Sequence, residues 1–223
     1  RYLTSLLGLL DAMEGLAAGA REQTELISLY AAILGEALGL AEDHRRALLF
    51  AARLHDVGVA SEDSGERGGS RDQSRRHPIL GERLLALFPV PRQCLPAVRH
   101  HHERFDGRGY PDGLAGEDIP LLARIVAVAE TYVGEVWRVG GKEAIWEGVE
   151  PHQHGMEAVG AGSGGALDPV LVEAFVSLHR DGQAGEVAAA GRAGGAATGV
   201  QDSRAGEAAP IRAETRRREE GRT

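Results

Sequence analysis

Imidazole and carboxylate side chains recur in short blocks between stretches of helical periodicity, and this arrangement most constrains what the chain can become. The blocks are His55-Asp56, His77 before Pro78, the run His100 to His102 before Glu103, and Glu130. Alone, a His-Asp dipeptide is more often surface or capping chemistry than a ligand pair. A set of such blocks on separate elements is different, because imidazole and carboxylate donors gathered at one point suit iron, manganese or zinc rather than calcium or magnesium. Asp56 offers two oxygens and can bridge two ions.

The intervals between the blocks read as helices. Leu26, Tyr30, Ile33, Leu34 and Leu38 recur every three or four residues and predict a helix that stops near Gly39. A second is predicted from an N-cap at Asp43 through Leu48, Leu49, Ala52 and Leu54, delivering His55 and Asp56 at its end, before Gly58. Ala60 to Ser74 is polar and carries Gly65, Gly68 and Gly69, the composition of a loop. Pro78 suits the first turn of a helix through Leu80, Leu84, Leu85 and Phe88. A further helix from about Pro91 carries Leu95 and Val98 inward and ends in the histidine run.

Glycine and proline dominate from Asp106 to Pro120, which predicts a structured loop. Leu121 to Val136 is again helical, with Leu122, Ile125, Val128 and Ala129 on one face. Gly140 to Gly165 is glycine-rich and shows no clear period. Pro169 to Leu178 carries a last amphipathic helix through Val172, Phe175 and Val176. From Asp181 the chain is Ala, Gly, Glu and Arg with almost no large apolar residues. It cannot bury enough surface to offset the entropy of ordering, so one domain is expected over residues 1–180 and a disordered tail over 181–223.

Aromatic residues make up only 4% of the chain against 43% hydrophobic, so the core must rest on Leu, Ala, Ile and Val, a diet that favours helix. The single cysteine, Cys94, excludes an internal disulfide, fits a reducing cytosol and reads as a small buried apolar residue. A net charge of -8 excludes general attraction to nucleic acid or anionic lipid. No apolar run approaches the roughly 20 residues of a membrane span, and a cytoplasmic protein is expected. The start Arg1-Tyr2-Leu3 is neither a signal peptide nor an initiator Met and reads as a domain boundary.

Taken in order, the chain supplies L-H-D-V-G at 54–58, H-P-I-L-G at 77–81, H-H-E at 101–103, D-G-R-G-Y-P at 106–111 and A-R-I-V-A-V-A-E-T-Y at 123–132. Five spaced blocks in this order closely resemble the HD-GYP family, over roughly residues 12 to 178. The resemblance implies an all-α HD-domain helical bundle with a G-Y-P loop beside a metal cleft. It also implies a metal-dependent phosphodiesterase that hydrolyses cyclic di-GMP to linear pGpG or GMP without a protein nucleophile. By that resemblance Asp56 is the catalytic carboxylate and bridges two ions. His77, His101 and His102 hold one ion, and His55 with Glu130 the other. The cofactor is one or two divalent transition ions, iron or manganese first. Gly109, Tyr110, Pro111 and Arg138 fall on the substrate side, and the implied partners are cyclic di-GMP and diguanylate cyclases of the GGDEF type.

Departures from the pattern concentrate on the second ion. The early ligand His falls on Gln23, whose neutral carbonyl is a poorer transition-metal donor than imidazole. Glu130 stands where the family has Asp and reaches one methylene further. Gly19 occupies the position of a third-metal Glu, so a third ion is unsupported. Val59 replaces a Lys that resembles a substrate-phosphate contact, the stretch before His77 is short, and Arg138 matches its position only loosely. One well-formed metal position, one weakened position and reduced activity are therefore expected.

A second reading is a domain that binds cyclic di-GMP or a signalling partner without turnover. A third, another HD-type hydrolase such as a nucleotidase, shares His55, Asp56 and His77, but the G-Y-P loop argues against it. Of the remaining histidines, His100 reads as a solvent-facing neighbour. His44, His152, His154 and His179 have no partner block, and His152 and His154 read as exposed. Trp137 and Trp146 are expected to pack.

Overall fold

In the computed structural model, residues 20–61, 75–147 and 149–180 are described. Helix α1 spans Ala20–Ala37, α2 Glu42–Leu54, α3 His77–Leu85, α4 Cys94–His100, α5 Leu121–Glu147, α6 Val149–Gly162 and α7 Pro169–Arg180. Two short 3-10 turns, Val57–Ser61 and Gly116–Asp118, punctuate them. Among the described residues the regular structure is helical, apart from one isolated bridge between Ser163 and Leu167, as the all-α expectation requires. No helix among them is long and apolar enough to cross a membrane. Residues 62–74 of the predicted loop, Gly19, the side chain of Trp146 and the predicted tail from Asp181 lie outside the described residues.

Helix α1 buries Leu26, Ile27, Tyr30, Ala31 and Leu34, one stripe at helical spacing. It ends where Gly39 takes φ +67° and the Leu40 N–H reaches back to the Gly35 carbonyl. Helix α2 is capped two residues earlier than expected. Its N-cap is Ala41, and Asp43 lies in the first turn beside Glu42, where a carboxylate favours the positive end of the helix dipole. Leu48, Ala51, Ala52 and Leu54 face the core, whereas Leu49 points outward at 46% exposure. Cys94 is buried at the first residue of α4, as a small apolar side chain would be, and Leu95 is half-buried behind it.

Helix α5 is the axis of the bundle and packs against α1, α2, α4, α6 and α7. It buries Leu122, Ala123, Ile125, Val126, Val128, Ala129, Tyr132, Val133 and Val136, and Trp137 packs against the same core. Each fully buried Ile or Leu contributes about 1.5–3 kcal/mol. The helix runs on to Glu147 rather than ending near Val136, and α6 follows at once. The glycine-rich interval is thus largely helical. Gly155 shows why packing overrides its poor propensity: a Cβ there would lie 2.7 Å from Val136 Cγ2 and 2.8 Å from Tyr132 Cδ2. Only a glycine lets α6 approach α5 so closely.

Three of the aromatic residues, Tyr30, Tyr132 and Phe175, gather in one cluster with His179. Tyr30 and Tyr132 stand 4.7 Å apart between ring centres, Phe175 lies 5.1 Å from Tyr132, and His179 lies 4.5 Å from Phe175. His179 is therefore a packing residue joining α7 to α1 and α5. His152 is not exposed as expected, because its Nδ1 shares a hydrogen bond with Tyr132 Oη. At the other end of α5, Arg124 pairs with buried Asp168, whose second oxygen accepts the Val170 N–H and caps α7. The arginine of A-R-I thereby joins two helix starts.

Candidate metal centre

His55 follows the last turn of α2, and Asp56 leads into the 3-10 turn that packs on α3. The contact is backbone to backbone. A Cβ on Gly58 would overlap the His77 carbonyl oxygen and lie 2.6 Å from the Gly81 nitrogen. Glycine in H-D-V-G is thus required by close approach, and that approach sets Asp56 against His77. Pro78 sits in the first turn of α3, where its missing N–H costs no helical bond. The end of α4 supplies His101 and His102.

These residues converge. One ligand atom from each of Asp56, His77, His101 and His102 lies within 4.8 Å of the others. The two Asp56 oxygens face different imidazoles: Oδ1 lies 3.2 Å from His77 Nε2 and 3.6 Å from His101 Nε2, and Oδ2 lies 3.3 Å from His55 Nε2. His55, His77 and His101 are buried, while the Asp56 side chain keeps 52% exposure and is open to a ligand.

The ring tautomers follow from the backbone. His55 Nδ1 donates to the Ala52 carbonyl at 2.9 Å and His101 Nδ1 to the Val98 carbonyl at 2.7 Å, since a carbonyl only accepts. In the neutral rings Nε2 then carries the lone pair, and His101 Nε2 stands 3.3 Å from His77 Nε2 as well as facing Asp56. A backbone carbonyl behind the ring is the usual support for a metal-binding histidine. The donor set fits a divalent transition ion.

Electrostatics separate the histidines. Burial opposes charge on His55, but Asp56 and then Glu130 outweigh it and raise its pKa to about 10. Burial also opposes ionisation of Asp56, yet the imidazoles of His55, His101 and His77 hold its carboxyl well below the usual range. His102 is lowered to about 3, first by burial and then by His101 and His77. Glu130 is half-buried and, with His101 and His102, lines a cavity of about 320 Å³ that Thr131, Glu135 and Arg104 also border. Gln23 is half-buried in α1. Arg138 is 66% exposed and held by Glu135 at 2.5 Å, and it does not border the cavity.

The D-G-R-G-Y-P loop is stitched to the histidine run. Gly107 takes φ +75°, and a Cβ on Gly109 would overlap the Arg104 nitrogen, so one glycine serves a turn and the other a close approach. The Tyr110 N–H donates to the His102 carbonyl, and the Tyr110 ring lies 4.9 Å from the His102 ring.

Glu103 is the residue whose role sequence reasoning missed. Its side chain is fully buried, and Oε1 accepts the N–H groups of Asp112 at 2.7 Å and Gly113 at 3.0 Å, anchoring the far end of the loop. Its place in H-H-E was visible; the distant amides it binds were not. His100 is likewise not solvent-facing: 12% of its side chain is exposed, and it packs beside Glu103 and Asp112.

A family profile described as HD domain matches residues 12–138. The chain is 41% identical over 142 residues to the cyclic di-GMP phosphodiesterase response regulator RpfG of Xanthomonas campestris, covering 59% of this chain and 37% of that protein. It is 29% identical over 167 residues to a cyclic di-GMP phosphodiesterase of Thermotoga maritima, covering 71% and 44%. The chain thus spans less than half the length of these relatives. Among solved structures it is similar to a cyclic GMP-AMP specific phosphodiesterase of Vibrio cholerae, with TM-score 0.59, 18% identity and coverage of 73% and 45%. An HDGYP protein of Bdellovibrio bacteriovorus gives TM-score 0.53, 19% identity and coverage of 72% and 52%. At such identities the structures support the fold.

Proposed function

Because the chain belongs to the HD domain family, we propose that it is a metal-dependent phosphodiesterase of the HD-GYP branch that opens cyclic di-GMP to linear pGpG or GMP. The observation that carries the reading is the division of the Asp56 carboxylate, one oxygen toward His77 and His101 and the other toward His55. In this reading His77, His101 and His102 hold one iron or manganese ion, His55, Glu130 and Gln23 hold a second, and Asp56 serves both.

Bound ions would supply Lewis-acid stabilisation of the charge that builds on phosphorus-bound oxygens. The chain's own residues orient and select. The carbonyls of Ala52 and Val98 fix two imidazoles so that Nε2 faces the centre. Gly109, Tyr110 and Pro111 flank His102 on the substrate side, held there by Glu103. Arg138, paired with Glu135 through Nε and Nη2, keeps its Nη1 donors for a phosphate.

Neutral Gln23 and Val59 remove one imidazole and one cation that the family pattern carries, and activity is reduced accordingly. GGDEF-type cyclases are the protein partners this reading implies. Metal content measured alongside cyclic di-GMP hydrolysis tests it. Two ions per chain and release of pGpG are expected. Binding of the dinucleotide without turnover would replace the enzyme with a binding module, and neither binding nor turnover would sink both.

A further inference from the structure

A cyclic dinucleotide carries two phosphodiester anions, and the metal centre engages only the one to be cleaved. Val59 offers the other no charge. The cations nearest the cleft are largely occupied: Arg99 is held by Glu82 and Asp112, Arg104 by Asp106, and Arg138 by Glu135. Arg75 differs. It stands two residues before His77, exposed, with its guanidinium carbon 5.2 Å from the centre of the Tyr110 ring, and that ring lies 4.9 Å from His102.

A guanidinium over an aromatic face keeps its positive charge and its fork of N–H donors. Those donors match two phosphate oxygens at once. No carboxylate among the described residues pairs with Arg75. The tyrosine of the G-Y-P loop thus steadies a cation beside the centre without neutralising it.

We infer that Arg75 binds the second phosphodiester of a cyclic dinucleotide, the one not being cleaved, with Tyr110 holding its guanidinium in place. The inference rests on the cyclic di-GMP reading above and names the subsite for the second phosphate.

Arg75→Ala should raise KM for cyclic di-GMP roughly ten- to a hundredfold with kcat little changed, the effect of losing a charged hydrogen bond. Bis(p-nitrophenyl) phosphate, which has a single phosphodiester, should be cleaved equally by both proteins. Arg75→Lys should recover part of the loss, and Arg108→Ala, in the G-Y-P loop, should leave KM near that of the native chain. With metal withheld, titration calorimetry should show the same weakening of cyclic di-GMP binding, with a shallower salt dependence in Arg75→Ala.

Equal KM and Kd in the native chain and Arg75→Ala would overturn the inference while the phosphodiesterase reading stands. An equal loss on both substrates would also overturn it, marking Arg75 as a mere support for the loop. A native chain that neither binds nor cleaves cyclic di-GMP would remove the reading and the inference together.

Discussion

The two sides of Asp56 are built differently. Toward Oδ1, His77, His101 and His102 come from α3 and the end of α4, elements packed on each other, and with Asp56 their ligand atoms fall within 4.8 Å. Toward Oδ2, His55 stands alone as an imidazole, and the charge of Glu130 on α5 acts on it; Gln23 of α1 completes that side only in the proposed two-ion reading. The charge states differ as well. His102, lowered to about 3, is neutral and ready to bind an ion at any ordinary pH, whereas His55, raised to about 10, holds a proton that an ion must expel. Lowering the pH therefore weakens the hold of His55 on an ion. In the proposed two-ion reading, one carboxylate serves two positions of unequal strength, and the strength lies in how many imidazoles the neighbouring helix ends deliver.

Asp56→Asn strikes both sides and should have the largest effect. Removing the shared charge should lower metal affinity by more than the roughly hundredfold upper range seen for loss of a supporting partner, and it should abolish phosphodiester cleavage. Elemental analysis of the purified variant, with circular dichroism to establish that the helices persist, checks this. A variant that keeps two ions without the carboxylate would show that the sides do not share the aspartate.

Gly58→Ala should break the comparison on one side. The added methyl would overlap the His77 oxygen, with backbone rather than a flexible side chain in its way. The turn must then move off α3, at a cost of about 3 kcal/mol, and His77 must move from Asp56. Denaturant unfolding should report the loss, together with a fall in metal content that His55 and Glu130 do not make up. Unchanged stability would mean that the close approach of the turn to α3 is not what positions Asp56.

What the sequence made legible follows the same division. His77, His101 and His102 announce themselves because they stand beside Pro78 and Glu103 at helix ends whose apolar spacing is plain. The glycines of H-D-V-G and D-G-R-G-Y-P were visible as turn residues, but Gly58 and Gly109 act by close approach to backbone distant in sequence, which no local pattern encodes. The continuation of α5 past Val136 was hidden because Gly134, Gly140 and Gly141 lower helix propensity, while the packing that overrides it comes from α6. His100 and His152 looked idle because their neighbours, Glu103 with Asp112 and Tyr132, are brought to them only by the fold.

Gln23→His should have the smallest effect and sharpens the comparison most. An imidazole in place of the amide adds a stronger donor from α1 to the side where His55 now stands alone. If that side is limited by its donor set, metal content should rise toward two ions per chain and cleavage of cyclic di-GMP by about tenfold, with stability little changed because position 23 is only half-buried. The gain should be larger at pH 8 than at pH 6, since both His55 and the new imidazole must be free of protons to hold an ion. Metal content and rate that both stay at the native level would mean that α1 does not turn this residue toward Asp56 Oδ2, and the weakness of the second side would then belong to Glu130 and His55 alone.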